Sequence, residues 1–285
     1  MLITLKEICA LAEERGIAVG AFNAVSLDSL KAVIRGAEEL EQPVILQFAQ
    51  CHECYNSIED LAPLMLKYAR NASVPVCVHL DHGEDLEYLK KALTLGFTGV
   101  MFDGSTLPYE RNAAAAAEAV RLATGYGAGV EAELGCMGRS ESGAGDGSGE
   151  DDETKIYTDP VQAADFAART GIDAIACSFG TTHGIYLKEP KLDFGVVKGV
   201  RASTGLPVVM HGGSGVSRED YLRAIDAGVR KINYFTYMNK AGGAAVKERL
   251  LKNADEPTLF TELTVAAEQA MKENVKDAIR VFSRL

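Results

Sequence analysis

The sequence predicts a single-domain α/β protein folded as a closed (β/α)8 barrel. Three observations carry that expectation. Eight short apolar runs recur along the chain, a segment of helical periodicity separates each run from the next, and four of the five histidines fall at or just beyond the ends of the runs. Such alternation signals parallel strands joined by crossover helices. Eight units in a row suit a closed barrel better than an open doubly wound sheet, and barrels of this kind commonly occupy ~250 residues in one domain. Residues 1–285 are therefore read as one domain.

The opening MLITLKEICALAEERG is punctuated by Glu7, Glu13 and Glu14, which suits an amphipathic helix and not a signal peptide. Strand one is IAVGAFNA (17–24), followed by helix Leu27–Glu41. Strand two is PVILQFAQ (43–50), and helix Ile58–Arg70 follows a Ser57-Ile-Glu-Asp cap. Strand three is VPVCVHLD (74–81) with helix Asp85–Leu95, and strand four is GVMFDGS (99–105) with helix Pro108–Tyr126. Strand five is GVEAELGC (129–136), and its helix Asp159–Thr170 starts on Asp159-Pro160. Strand six is DAIACSFG (173–180) with helix Asp193–Thr204; strand seven is PVVMHGGS (207–214) with helix Ser217–Ala227. Strand eight is KINYFT (231–236) with helix Lys240–Leu251, and a last helix near Leu259–Phe282 packs outside the barrel. Gly96, Gly171, Gly205 and Gly228 stand where a left-handed residue ends a helix.

One stretch breaks this rhythm. Residues 137–153, rich in Gly, Ser and acids, are too long for an ordinary βα connection. A solvated surface insertion has that composition, and so does a mobile lid. Its position after a strand favours the lid, because the loops that follow barrel strands form the catalytic face.

Composition narrows the function. A net charge of −11, with 29 Lys and Arg against 40 Asp and Glu, argues against nonspecific binding to nucleic acid or an anionic membrane. It leaves a small anionic substrate open. No stretch approaches the ~20 apolar residues needed to span a bilayer. The six scattered cysteines suit reduced thiols in a cytoplasmic protein. Cys51-His52-Glu53-Cys54 resembles half a metal site, but no second ligand pair follows at zinc-finger spacing.

The histidines carry the strongest signal. His82 closes strand three, His183 follows strand six in Gly180-Thr-Thr-His183-Gly184, and His211 ends strand seven before Gly-Gly-Ser-Gly215. Three imidazoles converging on one barrel mouth with a coordination position left open match a catalytic zinc site. A single histidine at a strand end would more simply be a satisfied polar residue; three together favour the metal. His79 and Asp81 are two apart and share the inward face of strand three. Asp81 is placed to exchange a proton with substrate, or else to orient a ligating histidine. His79 is read as a packing residue and His52 as part of the pocket wall. Gly184 and Gly212-Gly213-Ser214-Gly215 expose backbone N–H groups near the last strands, where a phosphate is often held. Asn233 and Thr236 add side-chain donors. Asp103, Glu131 and Glu133 add buried acids that need a cation or a donor, as a second metal position or as ordinary salt-bridge partners.

Together these motifs resemble the class II fructose- and tagatose-bisphosphate aldolases from Val19-Gly-Ala-Phe-Asn23 through Thr236. The most specific pieces are His79-Leu-Asp-His82, Val130-Glu-Ala-Glu-Leu-Gly135, Gly180-Thr-Thr-His183-Gly184 and His211-Gly-Gly-Ser-Gly215. The resemblance implies a catalytic zinc on His82, His183 and His211, with Asp81 as acid/base at the C4 hydroxyl of a sugar phosphate. It implies a zinc-stabilised enediolate, dihydroxyacetone phosphate and an aldehyde such as glyceraldehyde 3-phosphate as products. It further implies phosphate contacts from Gly184, Gly212, Gly213, Ser214, Asn233 and Thr236, with Asn23 and Gln47 on the substrate wall. Asp103 and Glu133 match the acidic positions of a second divalent ion, and a monovalent cation often sits near the phosphate. Glu141 is the loop residue that would move protons at the enediolate carbon. Members are commonly homodimers or homotetramers.

Three departures concern the pocket wall. The loop reads Gly138-Arg-Ser-Glu141-Ser where the family has Gly-Gly and then acids, Gln47-Phe-Ala49 lacks the serine of a Gln-x-Ser, and Phe235 stands where fructose-bisphosphate members have aspartate. These changes leave the substrate open among the ketose 1-phosphates. A Schiff-base aldolase would need a lysine at the C-terminal end of a strand, whereas Lys231 starts strand eight. A barrel metallohydrolase would want a His-x-His on strand one. A silent sugar-phosphate-binding barrel is disfavoured because every metal and acid/base position is filled.

Overall fold

A computed structural model describes residues 1–135, 157–184, 186, 190–252 and 257–285. Eight parallel strands close in sequence order. They are β1 (Val19–Asn23), β2 (Val44–Ala49), β3 (Val76–Gly83), β4 (Gly99–Phe102), β5 (Gly129–Leu134), β6 (Ala174–Cys177), β7 (Val208–Met210) and β8 (Val229–Tyr234). The seam pairs Val19 with Lys231 and Phe22 with Tyr234. Helices α2 (Leu27–Glu39), α3 (Ile58–Asn71), α4 (Leu86–Leu95), α5 (Tyr109–Thr124), α6 (Pro160–Thr170), α7 (Phe194–Thr204) and α8 (Arg218–Ala227) make the crossovers. Both faces of such strands are covered, which explains their continuous apolar runs. The caps follow the sequence: Ser57, Asp159 and Ser217 side chains accept from the first turns of α3, α6 and α8.

The interior is graded along the barrel axis. Helix α1 (Leu5–Arg15), held by a Thr4–Glu7 capping box, seals the end where the strands begin. Its Leu5, Ile8, Cys9 and Ala12 bury against Ile17, Val19, Ala21, Ile45, Cys77, Ala174, Ala176 and Val209. Contact is tight, since a Cβ on Gly99 would lie 2.8 Å from Leu5 Cβ. Two residues further along the inward faces the side chains turn polar: Gln47, His79, Glu131 and Lys231, then Asn23, Asp81, Asp103, Glu133 and Asn233, all buried. The apolar plug thus forces the polar chemistry to the end where the strands finish.

Strand eight differs from its sequence reading. It stops at Tyr234, and Thr236 opens α9 (Thr236–Lys252) instead of ending the strand. The Phe235 N–H donates to Ser214 Oγ at 3.1 Å, off the ladder, and the Asn239 N–H donates to the Phe235 carbonyl at 3.0 Å to start the helix. Aromatic Tyr234, Phe235 and Tyr237 hide that start in the sequence. Helix α10 (Phe260–Phe282) then packs on α2 and α9, its Phe282 ring 4.9 Å from Tyr221.

Candidate active site

Consecutive Asp81 and His82 should face opposite sides of β3, yet both reach the barrel mouth. The register between β3 and β4 shifts between Leu80 and Gly83, and His82 takes φ +44, a left-handed backbone rare for a side-chain-bearing residue. The bulge re-aims His82 so that it joins Asp81 at the mouth. Such strain clusters at functional sites.

The histidines from β3, the loop after β6 and the end of β7 converge as the sequence predicts. Their ligand atoms lie within 4.8 Å of one another. Ring centroids are 4.6 Å (His82–His211), 5.1 Å (His82–His183) and 5.8 Å (His183–His211) apart, with the planes near perpendicular. His82 Nδ1 lies 2.8 Å from Asp103 Oδ2, and His211 Nε2 lies 2.7 Å from Glu131 Oε1. Each carboxylate accepts a hydrogen bond from the ring N–H it faces, which leaves the lone pairs on His82 Nε2 and His211 Nδ1, 2.9 Å apart and facing each other. Zinc–imidazole bonds of ~2.0–2.1 Å imply nitrogens roughly 3.3 Å apart in a tetrahedral site. The donor set therefore fits zinc, and its carboxylate-backed histidines are the usual outer support of such a site.

Asp81 is held on both oxygens. Oδ2 accepts from Asn23 Nδ2 (2.9 Å) and Gln47 Nε2 (3.2 Å), and Oδ1 accepts from Asn233 Nδ2 (2.9 Å). Burial pushes the carboxyl up, but His82, His211, Lys231 and the Asn23 amide together hold it well below the usual carboxylate range. Asp103 likewise resists burial through His82 and Ser105 and stays ionised.

Glu133 behaves oppositely. Burial first, then repulsion from Asp103, pushes its carboxyl up to about 8. Its Oε2 is buried with no hydrogen-bond partner among the described residues. His82, Asp103 and Glu133 form a second group with ligand atoms within 4.8 Å, so an orphaned acid sits where a cation would satisfy it. Glu131 takes the other course that the sequence left open. It is an ion-pair partner, 2.8 Å from Lys231 Nζ.

The glycine-rich turns are built for close backbone approach. A Cβ on Gly212 would lie 2.5 Å from the Thr182 carbonyl, and one on Gly213 would lie 2.7 Å from the Asn233 carbonyl. Tyr186 ties the two turns together: its hydroxyl accepts from the Thr182 N–H at 3.0 Å and donates to the Gly212 carbonyl at 2.8 Å. Tyr221 OH donates to the Gly213 carbonyl. Gly184, with φ +99, follows His183, and Thr236 opens α9, whose first-turn N–H groups a helix leaves without intrahelical partners. The His52 ring lies 4.7 Å from that of Phe235, tilted at 43°. Glu141 lies outside the described residues.

Sequence reasoning set Lys231 aside as a Schiff-base candidate and gave Tyr186 no role. Lys231 precedes Asn233 by two residues, so it shares the inward face of β8. That placement, opposite an inward Glu131, was the available signal.

Residues 3–284 match the family described as "Fructose-bisphosphate aldolase class-II". The chain is 38% identical over 289 residues to the probable fructose-bisphosphate aldolase of Bacillus subtilis (strain 168), covering 99% of this chain and 97% of that protein. It is 37% identical to the fructose-bisphosphate aldolase of Staphylococcus epidermidis, with the same coverage. Among solved structures, the YdjI aldolase of Escherichia coli K12 matches with a TM-score of 0.86 at 37% identity, over 99% of this chain and 97% of that one. A putative fructose-1,6-bisphosphate aldolase from Coccidioides immitis matches with a TM-score of 0.85 at 26% identity, over 98% and 95%.

Proposed function

The chain belongs to the class II fructose-bisphosphate aldolase family and is an aldolase, a carbon–carbon lyase; from that premise we propose that it reversibly cleaves a ketose (bis)phosphate into dihydroxyacetone phosphate and an aldehyde such as glyceraldehyde 3-phosphate. The observation that carries this reading is the convergence of His82, His183 and His211 beside a triply hydrogen-bonded Asp81.

The three histidines would hold zinc, which would supply Lewis acidity toward the C2 carbonyl and the enediolate charge left by cleavage. Asp81, kept ionised, accepts the C4 hydroxyl proton as the C3–C4 bond breaks and C4 becomes the aldehyde. The bonding electrons pass to the enediolate, and Glu141 returns a proton at C3. Asn23 and Gln47 orient Asp81 and line the substrate wall. Gly184, Gly212, Gly213, Ser214, Asn233 and Thr236 hold the phosphate with N–H and side-chain donors, next to a monovalent cation. Asp103 and Glu133 would take a second divalent ion. The enzyme works as one domain, 1–285, in a cytoplasmic homodimer or homotetramer.

Fructose 1,6-bisphosphate and tagatose 1,6-bisphosphate are the first substrates to try. The apolar Ala49 and the His52–Phe235 pair favour extending the panel to ketose 1-phosphates with other aldehyde halves. The test is cleavage of that panel with and without a chelator, followed by zinc add-back. Cleavage abolished by chelation and restored by zinc supports the reading and names the substrate; cleavage indifferent to the chelator refutes the zinc mechanism.

A further inference from the structure

Lys231 is fully buried inside the barrel and takes no part in the chemistry above. Its ammonium has two partners: Glu131 Oε2 at 2.8 Å and Asn233 Oδ1 at 2.7 Å. Each partner reaches onward. Glu131 Oε1 meets His211 Nε2 at 2.7 Å, and Asn233 Nδ2 meets Asp81 Oδ1 at 2.9 Å. One cation therefore stands at the fork of two relays, one ending on a zinc-ligand histidine and the other on the acid/base.

The polarity of both relays follows from what an ammonium can do. It only donates. On one arm it keeps Glu131 an acceptor, so the His211 proton must sit on Nε2 and Nδ1 must carry the lone pair. On the other arm it claims the Asn233 carbonyl, so the amide presents NH2 to Asp81. A flipped amide would place a carbonyl against that carboxylate. Asn233 Nδ2 also lies 3.2 Å from His211 Nδ1, which brings the two arms back together at the mouth.

We propose that Lys231 is a positioning residue that sets the tautomer of His211 and the orientation of Asn233 at once, coupling zinc binding to the state of Asp81. The proposal rests on the zinc reading above. A buried ion pair adds little to stability against neutral residues of similar shape, whereas a lone buried ion is strongly destabilising. The informative variant is therefore the neutral double substitution Lys231→Met/Glu131→Gln, which leaves no lone ion in the interior.

The experiment strips each protein of metal and measures zinc affinity by chelator competition. It also records the visible spectrum with cobalt(II) and kcat at saturating zinc. The double variant should fold, bind zinc about 10–100-fold more weakly, as outer partners of ligating histidines usually dictate, and shift the cobalt bands. The double variant should also lose about tenfold or more in kcat, because Asn233 is no longer oriented. Zinc affinity, cobalt spectrum and kcat all unchanged in the double variant would overturn the proposal while leaving the zinc reading intact. A wild-type protein that takes up no zinc would overturn both.

Discussion

Glu131 and Glu133 stand two residues apart on β5, both buried and both facing the barrel interior, yet their carboxyls are driven in opposite directions. Glu131, at mid-depth, has Lys231, His211 and His79 around it and is held well below the usual carboxylate range despite its burial. Glu133, at the rim, has Asp103 as its charged neighbour and is pushed up to about 8. Burial alone favours the neutral acid in both. What differs is whether the fold supplies the countercharge. At mid-depth a lysine does, so the charge of Glu131 is balanced within the protein. At the rim His82 opposes the repulsion without overcoming it, so that layer is left for a metal to complete. A barrel whose charge is balanced at mid-depth and unbalanced at its mouth is the arrangement a metal enzyme needs.

The largest test asks whether chemistry belongs to the rim alone. Asp81→Ala should lower kcat by about 10²–10⁴-fold, the usual contribution of a general acid/base, while zinc content measured by atomic absorption stays at the wild-type level. Turnover that survives would remove Asp81 from the mechanism.

The second test breaks the mid-depth balance. Lys231→Met leaves Glu131 as an uncompensated buried anion and should cost about 3–5 kcal/mol in urea denaturation. Adding Glu131→Gln should recover most of that loss. A single variant as stable as wild type would show that Glu131 finds its countercharge elsewhere.

The third test compares the two carboxylates that back zinc-ligand histidines, Glu131 behind His211 and Asp103 behind His82. Asp103→Asn should weaken zinc binding about 10–100-fold in chelator competition. Because Ser105 also donates to Asp103, the asparagine keeps part of the local scaffold, and stability should change little.

The contrast between mid-depth and mouth also marks what the sequence can express. Eight strand–helix units, their caps and the three histidines were legible because periodicity and strand-end position are local properties. The inward pairing of His79 with Asp81 followed from strand alternation. His82 did not, since alternation sends it outward and only the β-bulge with φ +44 brings it back. Lys231 was read as lying at the wrong end of a strand for Schiff-base chemistry. Its partnership with Glu131 depends on two strands that are 100 residues apart in sequence (231 against 131), a distance no local pattern spans. The salt bridge of Glu131 likewise depends on which neighbour the closed barrel brings to it. The Thr236 helix start was masked by aromatic residues of high strand propensity.

The most direct probe of the difference between the two glutamates is the pH dependence of Glu133. In an unfolded chain its carboxyl titrates near 4.5, in the folded protein at about 8. Between those values the folded state holds a proton that the unfolded state has released, so stability falls as pH rises through the window. Protein stripped of metal should therefore melt progressively lower from pH 5 to pH 8.5, and Glu133→Gln, which cannot ionise, should show the shallower profile. The two curves should meet near pH 5 and diverge steadily toward pH 8.5, by about 1.4 kcal/mol per pH unit within the window. Glu131→Gln should not reproduce that flattening, because Glu131 is already ionised throughout. Added divalent metal should close the gap by supplying the countercharge that the rim lacks. Parallel profiles for wild type and Glu133→Gln would mean that the rim, like the mid-depth layer, carries its own compensation, and the second cation position would lose its physical basis.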